Sequence, residues 1–323
     1  TAVAGVSAAL SVTAYHVPPA GFEVAPIEAI AKRPVRPLPL VSAAPHAFGR
    51  SGRVRVAFSL PGAQVPYPLR LQGDTAGLSY SWVSLDGERP EWDVRPLAGA
   101  LRAPSRPGFY RLALGRGRER RVVEGPTLAV MVPFAQKVGR SLNGYLIGSY
   151  VSERLGAADA PSGFVEVTPS LLDVPLTEHL RLGDFLSQDS QRTWPRYVAV
   201  NPRLLDKLEL VMAEVARLRG DSSSRGIRLG VSSTFRTPMH NRAVQWAASD
   251  SRHQYGDAAD VRVDVDGDGH LTAFDSRLVA LAVEMVELRN PDLVGGLGLY
   301  TSRRYNTPYV HIDARGKRAR WRG

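Results

Sequence analysis

Between Ser251 and His270 the chain reads SRHQYGDAADVRVDVDGDGH, and its metal-binding residue types fall into two sets of different chemistry. His253 and Asp260 offer an imidazole nitrogen and a carboxylate, ligands that suit zinc. The path between them turns at Gly256 and enters an alternating segment, so both side chains can reach one ion without the four-residue spacing a helix would need. A hydrolytic zinc site needs three protein ligands and one open position for water. His311, in the apolar segment YVHID near the C-terminus, is the candidate for the third. Taken singly, a histidine in such a segment is more often a hydrogen-bonded core residue than a ligand.

The second set suits a harder cation. Asp264, Asp266, Asp268, Gly269, Leu271 and Asp275 fit positions 1, 3, 5, 6, 8 and 12 of a calcium loop, with the backbone carbonyl of His270 at position 7. Position 12 is Asp where Glu is usual, and the loop leaves a strand instead of a helix, so this is no helical EF-hand pair. Without a cation the three leading carboxylates would crowd one another. Asp260 and Asp264 lie four residues apart on a strand, thus ~13 Å, whereas metals of a dinuclear catalytic site lie only ~3.5–4 Å apart. The spacing therefore predicts two separate sites, with calcium bracing the strand that presents Asp260.

The elements that must position these groups are partly legible. Asn201-Pro202 places an N-cap and a first-turn proline before LLDKLELVMAEVARL, and Gly220 stops it, which predicts a helix. IRLGVSSTF (227–235) reads as a strand, and Thr237-Pro238 opens a second helix through about Ala248. Val261, Val263 and Val265 alternate with polar residues, giving a strand with one buried face. Residues 273–288 read as a third helix, and LVGGLGLY and YVHIDAR as closing strands. The expected fold is α+β: a C-terminal domain (201–323) with a small antiparallel sheet and flanking helices. Before it, short apolar runs broken by turns over 46–133 predict an all-β, sandwich-like domain. Residues 134–200, with NGYLIGSYV and GFVEV as strands, read as a connector packing on the C-terminal domain. Residues 1–45 combine an apolar, uncharged start, like the end of a signal peptide or membrane anchor, with a proline- and alanine-rich tether.

The chain of 323 residues carries a net charge of +10, spread along it as arginine, and no cysteine. Thiolate zinc sites and disulfides are thereby excluded. The charge suits an anionic polymer or surface, but no nucleic-acid motif accompanies it, so no nucleic-acid partner is expected.

Three segments in order, SSTFRTPMHN (232–241), SRHQYGDAAD (251–260) and GGLGLY…YVHIDARGKRARW (295–321), resemble the zinc D-Ala-D-Ala carboxypeptidase and murein endopeptidase family of peptidoglycan peptidases. The S-x-H-x-x-G-x-A-x-D element matches at every fixed position. The resemblance covers about residues 200–323. It implies zinc held by His253, Asp260 and His311, and an Arg236 that binds the substrate carboxylate or polarises the scissile carbonyl. Many members carry an acidic base three residues before the last histidine ligand; here that position is Pro308, and Asp257 replaces a usual Arg. Asp313, two residues after His311, is the nearest acid and could act as general base or orient His311. The expected activity is zinc-dependent hydrolysis of peptidoglycan stems or cross-links, endopeptidase favoured over carboxypeptidase, in an exported protein of the periplasm or cell envelope. The rival reading is a non-catalytic, metal-containing wall-binding protein. Oligomeric state is not legible.

Overall fold

A computed structural model describes residues 38–323 except 44–47, 66, 68, 87–90, 156–159 and 302–306. The apolar N-terminus and most of the proline-rich stretch lie outside the described residues. That stretch ends earlier than its composition suggests: Leu40–Ala43 pair as a strand with Leu69–Gln72, so the tether boundary at residue 45 is corrected. Among the described residues no helix is long and apolar enough to cross a membrane.

Among its described residues the β-rich region holds one six-stranded sheet and two two-stranded ribbons. Gly108–Arg116 is its central strand, flanked by Thr127–Val130 and Ser79–Ser84. Its inward residues, Leu112 and Leu114, pack with Tyr67, Tyr80, Trp82 and Leu128. Trp82 and Tyr110 satisfy their polar ends by donating to backbone carbonyls, as buried amphipathic aromatics must.

In the connecting region GFVEV does form a strand, Gly163–Val167, between Val132–Pro133 and Arg196–Val198. NGYLIGSYV does not. Asn143 and Gly144 adopt positive φ and turn the chain into a two-residue hairpin, and helix α1 (Val151–Leu155) follows, with Glu153 accepting the Tyr150 N–H at 2.7 Å. The apolar residues Tyr145, Ile147 and Tyr150 are wholly buried, so core burial rather than sheet pairing explains their pattern.

Helix α2 (Pro202–Arg219) starts and stops as its caps predict: the Asn201 side chain accepts the Arg203 N–H, and Gly220 ends it at φ 83°. Helix α3 (Pro238–Asn241) is one turn, not the longer helix expected through Ala248. Its start is right, with Thr237 as N-cap. It stops because the Asn241 side chain donates to the Ala248 carbonyl and closes a loop across 241–248. Helix α4 (Ala273–Arg289) packs against α2, and Thr272 and Asp275 form its capping box.

The sheet that carries the site is five-stranded, with strands β1 (Leu229–Ser233), β2 (Ala258–Val263), β3 (Gly296–Tyr300), β4 (Tyr309–Asp313) and β5 (Ala319–Arg322) in the order β1-β2-β4-β3-β5. The last strand comes from the basic tail, where no strand was expected, and it runs parallel to β3. Arg318 and Arg320 of that tail pair with Glu284 and Glu287 of α4. Part of the positive charge thus holds the edge strand down.

Candidate metal centre

Register places the ligands. In the antiparallel pair of β2 and β4, Asp260 stands directly opposite His311, and directly opposed side chains share a face within about 5 Å at Cβ. His253 arrives from the helical turn Arg252–Tyr255, which ends at Gly256 with φ 68°. A side chain at Gly256 would overlap the Ala199 carbonyl, and the Gly256 carbonyl accepts the Asn201 N–H at 3.0 Å. The glycine lets the turn press against the segment leading into α2, which fixes His253 over the sheet.

The three side chains are buried and converge. His253 Nε2 lies 3.2 Å from His311 Nδ1 and 3.3 Å from Asp260 Oδ1, and His311 Nδ1 lies 2.9 Å from the same oxygen. A tetrahedral ion with bonds of ~2.0–2.1 Å wants its ligand atoms ~3.3 Å apart. The other ring nitrogens face acceptors. His253 Nδ1 is 2.5 Å from the Thr234 carbonyl, which can only accept. His311 Nε2 is 3.2 Å from Asp313 Oδ2. With a cation held between them, each ring would direct its N–H outward, to the Thr234 carbonyl and to Asp313, and its other nitrogen lone pair inward beside Asp260 Oδ1. That arrangement fits a divalent cation and leaves a neutral interior unsatisfied. Burial lowers the His253 pKa, which keeps its imidazole neutral and available as a ligand.

Arg236 is brought to the site, but behind Asp260. Its Nη2 donates to Asp260 Oδ2 at 2.7 Å and its Nε to Ser233 Oγ at 2.7 Å. Asp313 is brought in as well, on the far side of the His311 ring. Wholly buried, it accepts from Gly296 N–H at 2.7 Å and from the Arg315 backbone and guanidinium. Burial would raise its pKa; His311, Arg315 and the Gly296 N–H outweigh that and depress it strongly. Both its oxygens are engaged away from the ligand cluster. Asp257 is paired with Arg252 and lies under the turn.

Residues that spacing did not reveal complete the walls. The Trp321 ring lies 5.1 Å from that of His311 and donates to the Tyr300 hydroxyl at 2.8 Å. Gly298 makes room for it, since a side chain there would overlap the indole. Tyr300 and Tyr309 stack at 4.4 Å. The signals were present, in the GGLGLY glycines and the tail tryptophan, but their meaning depends on β5 pairing beside β3. Together with Trp246, Asp250, Arg252 and Arg315 these groups line a cleft of about 410 Å³ that opens onto His253, Asp260 and His311. A larger groove of about 820 Å³ lies beside the N-terminal sheet, lined by Arg55, Arg111 and Thr127, and holds none of these ligands.

The calcium-type residues gather separately. Asp264, Asp266 and Asp275 form a second group. Asp268 is outside it, accepting the His270 N–H at 2.7 Å. Asp264 accepts from Gly267 and Gly269, and Asp275 from Val265 and Thr272, so backbone N–H groups already offset part of the carboxylate charge.

Residues 196–278 match the model of the family described as Peptidase M15. No match was found among curated proteins or among solved structures.

Proposed function

We propose, from the Peptidase M15 match and the converging His253, Asp260 and His311, that the chain is an exported zinc peptidase that hydrolyses peptide bonds of peptidoglycan. The observation that carries this reading is the trio of ligand atoms 2.9–3.3 Å apart, each ring with its other nitrogen facing an acceptor. Bound zinc would supply an activated water and a Lewis acid toward the scissile carbonyl. The chain's own residues hold that arrangement. The Thr234 carbonyl orients His253, Asp313 orients His311, and Arg236 holds the second oxygen of Asp260 so that the first points inward. Of the two roles open to Asp313, the geometry favours orientation, because the base would have to face the cleft. Asp250 is the other carboxylate lining the cleft among the described residues, and we assign proton acceptance to it.

Endopeptidase action is favoured over carboxypeptidase action. A carboxypeptidase holds a terminal carboxylate with a cation, and each described arginine lining the cleft is already paired: Arg236 with Asp260, Arg252 with Asp257, Arg315 with Asp313. The net charge of +10 suits an anionic wall, and the β-rich region, read as sandwich-like, serves as a spacer or wall-binding module. Digesting purified peptidoglycan and resolving the fragments tests the reading. Wild type should release cross-link cleavage products and His253→Ala none; activity surviving in His253→Ala would sink it.

Pro308, where many relatives carry an acid, favours a second reading as a non-catalytic wall-binding protein. Sedimentation with sacculi but no fragment release by zinc-loaded protein would establish it. For the second acidic group we retain calcium as the cation, on loop spacing and three converging carboxylates. Added Ca²⁺ should raise the melting temperature of wild type but not of Asp266→Ala; an equal shift in both contradicts it.

A further inference from the structure

The cleft has a rim residue that hydrolysis of a peptide bond does not require. Trp246 is 92% exposed, and its backbone sits at φ 64°, a left-handed conformation that a bulky residue rarely adopts. The loop that presents it is firmly built. The buried Asn241 side chain donates to the Ala248 carbonyl at 2.9 Å, the Ala247 N–H donates to Val244, and the Gln254 side chain donates to the Ser249 carbonyl at 2.9 Å. Strain held in place by its surroundings is characteristic of sites that bind or react, and an exposed indole forgoes the stabilisation its burial would bring. Trp246 lines the same cleft as His253 and His311, together with Tyr300, Tyr309 and Trp321. The cleft that holds the candidate ligands is thus rich in aromatic rings.

We infer that Trp246 is a platform for a sugar ring of the glycan strand to which the cleaved peptide is attached. This inference rests on the reading of the substrate as peptidoglycan. The stems offer small alkyl, amide and carboxylate groups, none broad enough to cover an indole. A pyranose ring has a flat face of C–H bonds that does, while its hydroxyls stay in water at the rim. A rigid aromatic with few side-chain torsions loses little entropy on ordering for such a contact.

The test compares kcat/KM on a soluble cross-linked muropeptide dimer that retains its disaccharides with kcat/KM on the same dimer stripped of sugars. The ratio of the two should fall roughly five- to tenfold in Trp246→Ala, a loss of the size expected for one aromatic stacking contact, and Trp246→Phe should recover most of it. An unchanged ratio overturns the inference. Binding of peptide-free glycan strands to zinc-stripped protein, followed by tryptophan fluorescence, reads the platform without catalysis. Binding that is lost in Trp246→Ala, where zinc-loaded wild type cleaves nothing, would leave the platform standing and the peptidase reading failed. Cleavage by wild type with no Trp246-dependent glycan binding would overturn the platform alone.

Discussion

At the scale of single residues, the site separates groups that could hold a metal from groups that orient them. His253, Asp260 and His311 were legible because their motif fixes a turn, a strand and a second strand in order. The role of Asp313 was not legible, because it depends on which nitrogen of His311 faces inward. With Nδ1 turned to Asp260 and Nε2 to Asp313, the proposed role of Asp313 is to orient His311. Replacing such a partner typically costs 10–100-fold in metal affinity or activity. Asp313→Asn should therefore weaken zinc binding about 10- to 100-fold, measured by competition with a chromophoric chelator. Asp250→Asn should leave zinc affinity near wild type and depress kcat. A reversal of the two outcomes would exchange the assignments. Thr234 and Trp321 were not assignable for a related reason: their contacts depend on how the turn bearing His253 and the last strand pack, which no local pattern announces.

At the scale of elements, caps were the most readable feature. Asn201, Thr237 and Gly220 all act where the sequence places them. Apolar runs were the least readable, since Tyr145, Ile147 and Tyr150 are buried without extended sheet pairing and α3 ends after one turn for want of anything but a side-chain hydrogen bond to announce it. The basic tail read as a disposition of charge and proved to be the edge strand β5. The element that most depends on one residue is the turn bearing His253. Gly256→Ala would force a side chain into the left-handed region and onto the Ala199 carbonyl. It should cost more than about 1 kcal/mol of stability and displace His253. Stability to chemical denaturation and zinc affinity should fall together; a variant as stable and as tight as wild type would show that the close approach does not position the ligand.

At the scale of the molecule, one continuous core runs from Val54 in the β-rich region to Ala314 beside the site. Buried polar links reinforce it. Asp206 of α2 accepts the backbone N–H groups of Arg50 and Ser51. His179 is pinned between Glu209 of α2 at 2.9 Å and the Ser224 carbonyl at 3.0 Å. Burial lowers the His179 pKa, but the hydrogen bond and charge of Glu209 outweigh it, so the net shift is upward from 6.5. Because the folded value exceeds the unfolded one, this stabilisation is fully present below about pH 6.5 and is lost as pH rises through the folded value. The melting temperature should fall between pH 6 and pH 9 by more in wild type than in His179→Gln; equal falls would remove His179 as a source of the pH dependence. Long-range links of this kind were beyond sequence reading, since His179 and Glu209 are thirty positions apart and carry no motif. The most direct measurement of the central claim is a zinc titration of chelator-stripped protein against a cross-linked peptidoglycan peptide. Cleavage should be absent at the start, rise linearly and plateau at one equivalent of zinc, and stay absent in His253→Ala at any zinc concentration. Cleavage by the stripped protein, or none with one equivalent bound, would contradict the account.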